Sequence, residues 1–142
     1  MIEDKTIIAP ATASGRGGIS VIRMSGPRSE VIAQKMCGQL ADPWRFKRCE
    51  IRTEEDLVID SCMVVFFKSP HSYTGDDVIE FHCHGNPTIV NLVIETAIEL
   101  GAVVAEPGEF TKTAFLNDKI DLAQAESVAD LINAQSESAV IA

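Results

Sequence analysis

Short alternating runs and longer helical spacings of apolar positions divide this chain into strands and helices. Residues 6–11, TIIAPA, read as a first strand, and residues 19–26, ISVIRMSG, as a second, with the glycine-rich SGRGG at 14–18 as the loop between them. Helix signals follow in SGPRSEVIAQKMCG: Pro27 suits a first helical position, Val31, Ile32, Lys35 and Met36 share a face, and Gly38 is a stop. The next stretch predicts two antiparallel strands around an acidic turn at 54–56, with its apolar end CMVVFF central in a sheet. Residues 77–84 predict another strand. The clearest helix is NPTIVNLVIETAIELG, with Asn86 as N-cap, Gly101 as stop, and a stripe of Ile89, Leu92, Val93, Thr96, Ala97 and Leu100. A short strand AVVAE, a short helix entered at Pro107, and a last helix complete the pattern. Asp121 and Gln124 have capping-box spacing at the start of that last helix, whose stripe is Leu122, Ala125, Ala129 and Ile132. The sequence ends inside this pattern with no stop residue, so the expectation is a fragment cut within a longer helical region.

Alternation also sorts the candidate chemistry. On a strand over 77–84, Ile79, Phe81 and Cys83 face a core, while Val78, Glu80, His82 and His84 share the other face. The i, i+2 histidines suit a shared metal ion, with Glu80 or a distant acid as third ligand. The competing reading gives one imidazole a hydrogen bond to neighbouring backbone and leaves the other in solvent. Arg23 alternates with Ile19 and Val21 on a strand otherwise fit for burial, and such an arginine needs either an acidic partner or an anionic ligand. Glu109, near a helix start, is a capping acid by position. Lys119 falls in a short connection between helices, where binding side chains concentrate, although by itself it reads as a solvated lysine.

Composition narrows the class. With 142 residues, 46% of them hydrophobic, the chain is long enough for one compact domain with a core. No run reaches a membrane span, and the acidic N-terminus lacks a signal-peptide pattern, so a cytoplasmic location is expected. Four scattered cysteines with no C-x-x-C pair disfavour a zinc ribbon and read as buried free thiols. A net charge of -9 opposes phosphate backbones, so any nucleic-acid role needs positive charge from elsewhere. The glycine loop at 14–18 lacks the G-x-x-x-x-G-K-[ST] pattern, which excludes a P-loop there.

Three blocks together carry a resemblance: GRGGISVIRMSGP, SYTGDDVIEFHCHGN, and EPGEFTKTAFLNDKIDLAQAESVADLINAQSE. In this order and spacing they resemble the N-terminal part of the tRNA-modification GTPase family called MnmE or TrmE. The resemblance implies an α+β fold, a mixed sheet with packed helices like a tetrahydrofolate-binding domain, followed by the first helix of a helical domain. The implied domains are 1–118, binding folate and forming a homodimer, and 119–142. By matching motif to motif, the family's contacts to a 5-formyltetrahydrofolate-like ligand fall on Arg23, Glu80 and Lys119. Glu80 suits the paired donor edge of a pterin, and either Arg23 or Lys119 suits folate's anionic tail. Beyond this segment the resemblance implies GTP, Mg and K sites, a flavin- and NADH-dependent partner of the MnmG type, and a tRNA whose wobble uridine is modified by the full complex. An alternative is a self-sufficient folate-dependent one-carbon transferase using His82 or His84 as acid or base. The chain departs from the family pattern at Asn86, where HGG is usual, and at Ala13 and Ser14, where TPPGRGG is usual.

Overall fold

A computed structural model describes residues 4–12 and 17–141, with backbone alone beyond Ile132. Among the described residues six strands, β1 (Ile7–Pro10), β2 (Gly17–Ser25), β3 (Lys47–Arg52), β4 (Val58–Phe67), β5 (Val78–Gly85) and β6 (Val103–Val104), form one sheet in the order β3-β4-β5-β2-β1-β6. All neighbours are antiparallel except β1 and β6, so the sheet is mixed. Four helices accompany it: α1 (Ser29–Cys37), α2 (Pro87–Glu99), α3 (Glu109–Leu116) and α4 (Leu122–Ile141).

The period-2 pattern does what it should. Phe81, Ile79, Ile22 and Met24 from the central strands are fully buried on one side of the sheet, packed with Ile32, Ala33 and Met36 of α1 and Val93 and Ala97 of α2. The opposite side holds Arg23, Glu80 and His82, and only part of it is covered, by the loop at 68–77 and by α3. Gly85 permits the tight pairing of β5 with β2, since a Cβ there would stand 2.1 Å from the Gly17 carbonyl oxygen.

Details differ from the sequence pattern in four places. Helix α1 begins at Ser29, two residues after Pro27, and buries Ser29, Ile32, Ala33 and Met36, while Val31 and Lys35 are exposed. In α2 Val93, Thr96 and Ala97 of the expected stripe are buried and Ile89 and Leu100 partly so, but Val90 joins them and Leu92 is turned outward. The stretch CMVVFF lies in an interior strand, but the central pair is β5 and β2. Of the expected glycine loop, Gly17 and Gly18 belong to β2, and residues 14–16 lie outside the described residues. The caps are as expected: Asn86 Oδ1 accepts from the Thr88 N–H at 2.8 Å, and Asp121 and Gln124 exchange side-chain-to-backbone bonds at 2.8 and 2.9 Å.

Candidate functional site

The antiparallel register of β2 and β5 places Arg23 directly opposite Glu80. Their side chains meet on the half-covered face. Arg23 donates through Nε and Nη2 to Glu80 Oε2, at 3.2 and 3.1 Å. The other oxygen, Oε1, lies 3.0 Å from His82 Nε2. A carboxylate only accepts, so His82 donates from Nε2 and its Nδ1 points away from this contact. Glu80 is only 16% exposed and Arg23 25%, so the pair is partly withdrawn from water. Removing one partner would leave the other poorly solvated, at a cost on the order of 2 kcal/mol.

Two aromatic rings frame the guanidinium. Arg23 Cζ lies 5.3 Å from the centre of the Tyr73 ring and 5.7 Å from that of Phe110. Tyr73 comes from the loop at 68–77 and Phe110 from α3, and the two elements are joined where the Tyr73 hydroxyl meets Thr111 Oγ1 at 2.9 Å.

That loop is held on several sides. Buried Thr74 bonds Ser25 Oγ at 2.8 Å, Ser69 N–H donates to Asp77 Oδ1, and Asn117 Nδ2 donates to the Thr74 carbonyl and to Asp76 Oδ1. Gly75, at φ +87°, tucks beneath Asn117 and Lys119, where a Cβ would come within 3.0 Å of the Asn117 side chain. Burial, opposed by the Asn117 amide, pushes the Asp76 carboxyl up from its ordinary range. Lys119 is positioned on the same loop, its Nζ donating to the Pro70 carbonyl at 3.1 Å. The structure therefore brings Arg23 and Glu80 into contact, while Lys119 holds the loop that carries Tyr73 through the Pro70 carbonyl.

The remaining sequence candidates take other partners. His84 Nδ1 and its backbone N–H both meet the Asp60 carboxylate, at 2.8 and 3.0 Å. The two histidines thus engage separate acids, and among the described residues no group of three His, Cys, Asp or Glu side chains is arranged to hold a metal ion. Glu109 accepts from the Glu106 N–H and pairs with Lys5, both at 2.8 Å. Burial alone would raise its pKa, but these bonds outweigh it and hold the carboxyl below its usual range. The cysteines are free thiols, Cys49, Cys62 and Cys83 buried and Cys37 half-buried, and burial pushes the Cys37 thiol up to about 12. Tyr73, Phe110 and the link from His82 to Glu80 were not singled out in the sequence, because only the folded register brings them to Arg23.

The sequence matches the family described as "GTP-binding protein TrmE N-terminus" over residues 6–119. The chain belongs to this family. It is 52% identical over 134 residues to the tRNA modification GTPase MnmE of Neisseria meningitidis serogroup A, an alignment spanning 94% of this chain and 30% of that protein. It is likewise 50% identical over 139 residues to the MnmE of Nitrosomonas eutropha, across 98% of this chain and 31% of the relative. The chain thus spans about a third of the length of these MnmE relatives, and the TrmE match begins at Thr6 and ends at Lys119, just ahead of α4.

Proposed function

We propose that this domain binds a reduced folate of the 5-formyltetrahydrofolate kind and forms a homodimer within a GTPase that modifies tRNA. The observation that carries the folate reading is the Arg23–Glu80 pair on an incompletely covered sheet face, a partly buried carboxylate whose guanidinium partner lies beside two aromatic rings. A pterin presents a 2-amino group beside a ring N–H, and a carboxylate accepts this edge through both oxygens. Glu80 already receives two bonds at Oε2 and one at Oε1, so bidentate acceptance requires Arg23 to release Oε2. Arg23 is then a displaceable partner that occupies Glu80 before the ligand arrives. Because Arg23 touches Glu80, it belongs to the pterin end, and folate's glutamate tail falls to Lys119.

The relatives are named tRNA modification GTPases. The wider roles proposed rest on the sequence resemblance: GTP, Mg and K bound outside residues 1–142, an MnmG-type flavoprotein as partner, and a cytoplasmic setting. Residues 1–118 form the folate-binding and dimerisation unit and 119–142 begin a helical domain. No helix among the described residues is long and apolar enough to cross a membrane.

Calorimetric titration with 5-formyltetrahydrofolate tests the reading. Wild type should bind, and Glu80→Ala should lose at least about 30-fold in affinity, the cost of stripping a desolvated charge of its partner. Absence of wild-type binding, or equal binding by the variant, rejects it. A second reading has one observation in its favour: the Glu80-oriented imidazole of His82, with Nδ1 pointing away from that contact, is the arrangement of a general base. A self-sufficient one-carbon transferase would turn over formyl or methylene folate with this chain alone and lose that turnover in His82→Gln.

A further inference from the structure

The sheet face that carries His82 continues, past the cover of the loop and α3, towards the edge strand β3. A cross-strand row there runs Val21, His82, Met63 and Arg48. Met63 is 40% exposed, and Ile19, two residues before Val21 on the same face, is 65% exposed. At its outer rim stands the sequence WRFKR, residues 44–48: two aromatics interleaved with three cations and no acid, in a chain of net charge -9. Trp44 is 62% exposed and Phe46 52%. Neither ring is loose. Trp44 packs edge-on against Phe67 at 4.6 Å between centres, its backbone N–H donating to the Phe66 carbonyl, and Phe46 packs edge-on against His82 at 5.1 Å.

The cations are free of acids. Arg48 Nε donates to Ser61 Oγ and Lys47 Nζ to the Gln39 carbonyl, and neither acceptor neutralises charge. Among the described residues none of Arg45, Lys47 and Arg48 forms an ion pair, while Glu50, the next acid along β3, is taken by Arg52 at 3.0 Å.

We propose that this face binds an unpaired segment of RNA, with bases stacking on Trp44 and Phe46 and phosphates meeting Arg45 and Arg48. Fixed, half-exposed aromatics on an open antiparallel sheet are the usual platform for single-stranded RNA, since every base offers a π-face and rigid rings lose little freedom on stacking. The chain's overall negative charge opposes the complex only weakly at about 0.1 M salt, where charges beyond about 10 Å are screened and the local cations dominate. The choice of RNA rests on the family reading, through the relatives' name. Its aromatics and cations are distinct from the residues assigned to folate, and His82, on which Phe46 packs, joins the two faces through its bond to Glu80.

Trp44 is the chain's sole tryptophan, so its fluorescence reports stacking directly. Titration of the 142-residue chain with an eight-nucleotide oligouridine at about 0.1 M salt should give saturable quenching. Arg45→Ala and Arg48→Ala should each weaken binding and lower the salt slope by about 0.7. Phe46→Leu, with its melting temperature measured alongside, should weaken it about tenfold. Saturating 5-formyltetrahydrofolate should leave oligonucleotide binding unchanged, which separates this proposal from folate binding. No quenching by the oligonucleotide, unaltered affinity in the two arginine variants, or equal quenching by a blunt RNA duplex would each overturn the proposal. Quenching that depends on protein concentration without RNA would also overturn it, by assigning the face to a second copy of the chain.

Discussion

Glu80 and Arg23 are 57 residues apart in sequence and 3.1 Å apart in space, and the consequences of that pairing are largest at the level of single side chains. Arg23→Lys keeps the charge but loses the side-on contact through Nε and Nη2, so it should weaken the grip on Glu80. On the folate reading it has little direct effect on a pterin that displaces Arg23 in any case. Affinity for 5-formyltetrahydrofolate should therefore fall far less in Arg23→Lys than in Glu80→Ala, and parallel calorimetric titrations check this. Glu109 offers a test of stability against pH. Its folded pKa lies below the ordinary 4.5, so its contribution is present above that value and is lost as pH falls through the depressed folded pKa. Glu109→Gln should cost about 0.5–1 kcal/mol at pH 7, because Lys5 is substantially exposed, and the gap to wild type should close in strong acid. Denaturant melts across pH measure both ends. At this scale the sequence was readable in part: alternation put Glu80 on the half-polar face of its strand and singled out Arg23 as a charge on a face otherwise fit for burial. It carried no information on the register that joins them, and Tyr73 and Phe110 became visible as neighbours only after a loop and a helix from distant segments converged.

At the scale of elements, caps and breakers were the most legible features because they act within four residues of themselves. Asn86 caps α2 where the family pattern has glycine, and its side chain satisfies the Thr88 N–H. Asn86→Ala should lower stability by about 1 kcal/mol and Asn86→Gly by only a few tenths, readable as a shift in thermal midpoint. Helix faces were less legible. In α1 the apolar set was placed with Val31 and Lys35, yet the structure turns Ser29 and Ala33 inward instead. Small residues pass unnoticed in a hydrophobicity pattern, but close approach of α1 to the sheet selects them. The same limit applies to the loop at 68–77. Its Ser, Thr, Gly and Asp content marks a turn, whereas its rigidity comes from bonds to Ser25 and Asn117 that no local rule supplies.

For the whole molecule, six strands follow from the alternation pattern, while the strand order β3-β4-β5-β2-β1-β6 and the parallel β1–β6 pair that makes the sheet mixed depend on long-range pairing. A homodimer formed by this domain should give twice the monomer mass in light scattering at micromolar concentration. A strictly monomeric mass would remove dimerisation from the proposed role. The central claim concerns the exchange of partners at Glu80, and a crystal structure of the chain soaked with 5-formyltetrahydrofolate tests it most directly. The account predicts the pterin's 2-amino edge on both oxygens of Glu80, with Arg23 moved off Oε2 and the glutamate tail towards Lys119. A folate bound elsewhere, with the Arg23–Glu80 pair intact at its present distance, would contradict it.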